Sequence, residues 1–348
     1  MILLQARFLP AVAVFFPDME NTLKRFHVHA IFVACTAVGF ISVPVFAQSE
    51  FPNKSIRMVV GFTAGGISDV LARALGARLS AQTGQQVVID NRAGAGTTIA
   101  AEIVAKAPPD GYTLFMQDMT TQAINVSLYK KLPYDSVKDF TPITLVASSP
   151  LMLVVHPSLP VKSVKELIAL GKAKPGQIAF ASSGNGTILH LAAETFKTLA
   201  GIDMIHVPYK GSSQAVQALL AGEVAVTFST MPPALANVKA GRLRALGVTT
   251  PTRNAAAPEV PTIAEAGLKG FDVVLYSGVL GPARLPALVV SKLNAEFIKA
   301  VNAPETKAVY ASLGVDPITD TPAEFAAHIT AEIDKLGKAV RASGAHVD

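Results

Sequence analysis

Two short stretches combine glycines with hydroxyls just ahead of a helical pattern: GFTAGGISD at 61–69 and ASSGNGT at 181–187. Glycine has no Cβ, so backbone N–H groups can come close to a bound group. The start of a helix adds unpaired N–H donors and the positive end of the helix dipole. Thr63 and Ser68 supply hydroxyls in one stretch, and Ser182, Ser183 and Thr187 in the other. This chemistry suits an anion. One such stretch also fits an ordinary tight turn, with Ser68 or Asp69 capping the helix. Two of them, one in each half of the chain, suit two half-sites closing on one anion.

Other anion chemistries are excluded by single residues. GFTAGGISD lacks the Lys-Ser/Thr of a phosphate-binding P-loop, and AGAGTTI has Ile99 where a dinucleotide fingerprint needs its third glycine. Ser183 is not in a nucleophile elbow, because Ala181 stands where the first glycine belongs. His156, His190, His206, His328 and His346 are scattered without metal-ligand spacing, so neither a metal nor a cofactor is expected. His190, one turn into a helix, reads as a hydrogen-bonding histidine ahead of a catalytic base.

Those stretches need elements to hold them. IRMVVGF, QVVIDN and TLFMQ read as short apolar strands alternating with helices, and the alternation restarts after residue 150 with IAFASSG, MIHVPY and VAVTFST. Apolar strands between helices indicate a parallel sheet covered on both faces. The expected fold class is α/β, with two lobes that are each a mainly parallel sheet flanked by helices, and a ligand cleft between them. Lobe one spans 48–150 and 273–348, and lobe two 151–272. Ligands of open α/β sheets sit beyond the carboxyl ends of the strands. By that rule Gln117, Thr120 and Thr121 follow one strand into the cleft, Ser229 and Thr230 another, and Tyr209 and Tyr276 lie near strand ends.

Half of the 348 residues are hydrophobic, ample for a buried core. Lys24 and Arg25, the apolar run 30–46 and the small residues before Gln48 form a secretory leader, cut near Ala47. Its loss removes Cys35, and with it any thiol chemistry. The mature chain carries a slight positive surplus without basic blocks or tryptophan, which argues against nucleic acid. A soluble periplasmic monomer is expected.

The sequence blocks FPNKSIRMVVGFTAGGISDVLAR, SSGNGTILHLAAETF, HVPYKGSSQAVQALLAGEVAVTF and SGVLGPARLP resemble the Bug family, the solute-binding receptors of tripartite tricarboxylate transporters. The resemblance covers the whole mature chain. It implies a two-lobed periplasmic binding protein fold (type II-like) that captures a small carboxylate and delivers it to membrane permease subunits. The ligand would be a dicarboxylate, tricarboxylate, acidic amino acid or aromatic acid. The implied binding residues are Phe62, Thr63, Ala64, Gly65, Gly66 and Asp69, facing Ser183, Asn185, Gly186, Thr187 and His190. Asp69 is expected to brace its loop. Two positions depart from the family pattern: Ala64 stands where proline is usual, and Tyr276 where tryptophan is frequent. Presentation of the ligand to a sensor kinase is the alternative role, and a serine-dependent hydrolase using Ser183 and His190 a more distant one.

Overall fold

The computed structural model describes residues 51–343, so the expected leader lies outside the described residues. Strand β1 (Ile56–Val60) buries every residue except Arg57, as a strand covered on both faces must. It feeds α1 (Ile67–Thr83), where Leu71, Leu75 and Leu79 make one buried row at four-residue spacing. Gly84 ends the helix at φ 69°, its N–H donating to the Ser80 carbonyl. Next come β2 (Val87–Asn91), α2 (Thr98–Ala105), β3 (Thr113–Asp118) and α3 (Met119–Leu128). β1 lies between β2 and β3, parallel to both.

β4 (Phe140–Val155) serves two sheets. Its first part runs antiparallel to β9 (Val274–Pro282), up to Pro150 opposite Val274. From Leu151 onward it pairs antiparallel with β7 (Val226–Thr230), and from Met152 with β8 (Arg244–Val248). One hydroxyl stitches the two segments that pass between the sheets. Thr249 Oγ1 donates to the Val273 carbonyl at 2.6 Å and accepts the Leu151 N–H at 2.8 Å.

In the second sheet β5 (Ala179–Ser182) is parallel to β6 (Ile205–Pro208) and β7. The helices here are α4 (Val164–Ala173), α5 (Ile188–Ala200), α6 (Ser212–Leu220) and α7 (Met231–Lys239). Phe196, Phe228 and Phe271 meet in this core with ring centres 5.8–6.2 Å apart, all but inaccessible to solvent. Truncating such a ring to alanine costs about 3–5 kcal/mol. Both sheets keep the parallel ladders that strand–helix alternation predicts. The antiparallel pairs all involve β4, which serves both sheets, or β9, which pairs only within the first.

The chain ends in α8 (Ala287–Asn302), α9 (Pro304–Leu313), the short β10 (Asp316–Pro317) and α10 (Pro322–Ser343). α8 packs on α1 and β4, and α10 on α3 and β4, so these helices cover the first sheet. Phe325 of α10 is fully buried against Gly278 of β9, where any Cβ would meet its ring. Among the described residues, no helix is long and apolar enough to cross a membrane.

Candidate functional site

Between the two sheets lies a narrow cavity of about 10 Å³. Its wall is made of strand ends and helix starts: Phe62, Gly66, Ile67 and Ser68 from β1–α1, Asp118 from β3–α3, Ser183 and Leu189 from β5–α5, Ser212 from α6, Thr230 from β7–α7, and Leu275 from β9. The starts of α1, α3, α5, α6 and α7 therefore converge on one space. The first amide of α5 goes to the Thr121 hydroxyl, and α7 starts with Pro232 and Pro233, which carry no N–H, but no side chain caps the first turn of α1 or α6. Their free donors and dipoles favour negative charge in front of them.

Three hydroxyls on this wall, Ser68, Ser183 and Thr230, are at least nine-tenths buried and have no hydrogen-bond partner. A buried hydroxyl without a partner costs about 1–3 kcal/mol. Three of them facing one cavity mark a place where a polar ligand completes the hydrogen bonding.

Across this cavity the lobes touch. The Thr121 hydroxyl accepts the N–H of Ile188, the first residue of α5, at 3.1 Å. A Cβ at Gly96, which has φ 57°, would come within 2.6 Å of the Asn185 carbonyl oxygen. Gly211 has no room for a Cβ against Thr63, and a Cβ on Gly65 (φ 85°) would sit 2.9 Å from Ser213 Oγ. The cleft is closed.

The residues expected from the sequence fall into three groups. Phe62, Gly66, Ser68, Ser183 and Thr230 line the cavity. Thr63, Ala64 and Tyr209 line an open groove outside it, where the Tyr209 hydroxyl donates to Glu223 at 3.1 Å. The rest shape the loops. Asp69 accepts the Gly65 N–H at 2.9 Å and pairs with Arg73. Burial opposes the Asp69 charge, but hydrogen bonds from Arg73, the Gly65 amide and Asn91 outweigh it and hold its carboxyl below the ordinary range. The Thr187 hydroxyl donates to the Gly184 carbonyl at 2.9 Å, and the Gly186 N–H to His190 Nδ1 at 3.3 Å. Asn185 is exposed and presents its carbonyl to Gly96.

Gln117 and Ser229 are fully buried and fully engaged. Gln117 donates to Thr97 at 2.7 Å and accepts the Asp118 N–H at 3.0 Å. Ser229 meets the Ser212 hydroxyl at 2.9 Å and the Thr230 carbonyl at 3.0 Å. Tyr276 packs edge-on against His328 at 4.6 Å, and its amide donates to Thr120. Neither ring is on the cavity wall. Ser183 and His190 form no dyad, since the serine hydroxyl is unpartnered and His190 Nδ1 is taken by Gly186.

The sequence matches the tripartite tricarboxylate transporter family receptor over residues 71–345. The chain belongs to that family. BugT of Bordetella pertussis is 36% identical over 326 residues, covering 93% of this chain and 99% of BugT. Among solved structures, R. palustris Rpa4515 with adipate superposes with a TM-score of 0.83 at 36% identity, covering 86% of this chain and 100% of that one. MatC from Rhodopseudomonas palustris with bound malate gives 0.80 at 31% identity, covering 83% and 100%. The two-lobed fold is thus that of family receptors solved with carboxylates.

Within this tripartite tricarboxylate transporter family receptor, a histidine stack supports the second loop. The His190 and His206 rings lie 4.0 Å apart and nearly parallel, with Phe180 stacked beyond His206. His206 Nε2 is 2.6 Å from the Ser182 hydroxyl, which also accepts the Gly184 N–H at 3.1 Å. Burial, then the charges of His190 and Lys197, push His206 down to about 3. Burial likewise lowers His190, against the pull of Glu194. Both rings are therefore neutral near pH 7, and they act as spacers that hold the loop.

The sequence did not point to two polar wall residues, Asp118 and Ser212. Ser212 opens a third hydroxyl-bearing loop, YKGSSQ, of the same strand–loop–helix kind as the other two. Asp118 is the N-cap of α3, accepting the Thr121 N–H at 3.0 Å and the Thr121 hydroxyl at 2.5 Å. Its burial pushes the carboxyl up to about 6, despite the hydrogen bonds from Thr121 and Thr120.

Proposed function

We propose that this chain is a periplasmic receptor that captures a small carboxylate between its lobes and delivers it to the membrane subunits of a tripartite tricarboxylate transporter. The observation that carries the reading is the convergence of Ser68, Ser183 and Thr230, buried and unpartnered, beside the uncapped starts of α1 and α6. Those donors suit a carboxylate, and the apolar walls Phe62, Ile67, Leu189 and Leu275 suit its carbon body. The solved relatives hold adipate and malate. On this reading residues 1–47 are a leader removed on export. The lobes are 48–150 with 273–348, and 151–272, hinged where β4 changes partner and where Val273 returns.

A thermal-shift screen of the mature chain tests it. Dicarboxylates, citrate, acidic amino acids, nicotinate and aromatic acids are compared at equal concentration. A ligand at 100 times its Kd stabilises by roughly 2.7 kcal/mol. No stabilisation by any of these acids at millimolar concentration would refute the reading.

A further inference from the structure

The cavity wall carries one charged side chain, and its sign is wrong for a dianion. Asp118 lies on that wall, and no Lys, Arg or His does. Its neighbours fix the direction of every hydrogen bond around it. Thr121 Oγ1 already accepts the Ile188 N–H, so its own proton points to Asp118 Oδ2. The Thr121 amide donates to Oδ1. Asp118 is thus held as an acceptor, with Thr120 adding hydrogen bonds to those of Thr121.

The rest of the wall has the opposite polarity. The uncapped starts of α1 and α6 and the hydroxyls of Ser68, Ser183 and Thr230 offer protons on the other sides of the same small space. One cavity therefore holds a donor pole and an acceptor pole.

We propose that Asp118 is the specificity-determining residue of this cavity, and that it selects a zwitterionic ligand, a small acid bearing an ammonium group, over a dicarboxylate. The ligand carboxylate occupies the donor pole and its ammonium group donates to Asp118. A second carboxylate in that position faces Asp118 with no cation between them, and like charges in a buried site disfavour each other. Capping α3 does not by itself require a negative charge, since asparagine caps a helix as well as aspartate does. This inference rests on the cavity being the ligand site.

The test is calorimetry on matched probes with wild type and Asp118→Asn. Succinate is compared with 4-aminobutyrate and aspartate, and glutarate with 5-aminopentanoate and glutamate. Wild type is expected to bind an ammonium-bearing member at least tenfold more tightly than the dicarboxylate of the same series. Asp118→Asn should narrow or reverse that preference, because one partner weakens while the other is relieved. A loss of cap geometry alone would weaken all probes alike and would overturn the assignment of selectivity to Asp118. Wild type preferring the dicarboxylates, with Asp118→Asn leaving the preference unchanged, would overturn it too while leaving the carboxylate-receptor reading intact. Binding of no acid at all, in this panel or in the thermal-shift screen, would remove both.

Discussion

The Thr121 hydroxyl accepts the Ile188 N–H from the opposite lobe at 3.1 Å and at the same time donates to Asp118. One side chain therefore joins the closed position of the lobes to the charged end of the cavity. Thr121→Val keeps the shape and removes the hydroxyl. It leaves the buried Ile188 amide unpaired in the closed state only, so closure becomes less favourable. A lost hydrogen bond of this kind costs about 0.5–1.5 kcal/mol, and up to about 3 kcal/mol with a charged partner. Calorimetry should show weaker binding by that amount, and small-angle scattering a less complete contraction at subsaturating ligand. Unchanged affinity would mean that this contact does not contribute to closure.

Much of this arrangement was legible in the sequence. The two glycine loops are recognisable from their place between an apolar strand and a helix. What failed was parity at strand ends. Gln117 and Asp118 are consecutive on β3, so their side chains leave on opposite faces. Gln117 goes to Thr97 and Asp118 to the cavity. Ser229 and Thr230 repeat the pattern on β7, where only Thr230 reaches the wall. Nearly every residue of both strands is buried, so no apolar–polar alternation reveals which face is which. Glycine spacing has a similar blind spot. Of the adjacent pair, Gly65 has the positive φ of 85°, whereas Gly66 has φ −80° and a Cβ there would make only an ordinary contact, 3.8 Å from the Thr63 carbonyl oxygen.

The unpartnered hydroxyls should separate binding from stability. Ser183→Ala and Thr230→Val each remove a buried group that bonds to nothing in the empty cavity. Without ligand, their melting temperatures should equal or exceed that of the wild type, because an unsatisfied polar atom is gone. With ligand, affinity should fall severalfold to tenfold, since the ligand loses a donor. A variant destabilised without ligand and unaltered in affinity would place its hydroxyl in the fold and outside the site.

The histidine stack predicts a silent titration. With His206 held near 3, its ring proton resonances should not move between pH 8 and 5. An exposed histidine titrates near 6.5 across that range. The lowered value also has a sign for stability. The unfolded chain takes up this proton first, so the contribution is full above about 6.5 and is lost as pH falls below it. His206→Gln should remove that part of the acid dependence. A His206 resonance with a midpoint near 6.5 would contradict the buried, neutral ring.

Asp118 predicts a pH dependence of the opposite sign. Its folded value is raised to about 6 from an ordinary 3.8, with burial the largest cause. The native state then holds the proton more tightly than the unfolded chain. The stability from this group is full below about 4 and is lost as pH rises through about 6. The shift corresponds to a cost of about 3 kcal/mol at pH 7.5 for keeping the carboxylate ionised in the empty cavity. Asp118→Asn keeps the cap of α3 and carries no charge. Urea unfolding should therefore find the variant more stable than wild type at pH 7.5, and the difference should vanish near pH 4. A ligand that brings an ammonium group to Asp118 should stabilise wild type more than the variant at pH 7.5. Equal stability of both proteins at both pH values would mean that Asp118 is solvated as an ordinary surface cap, and its place at the acceptor end of the cavity would then be lost.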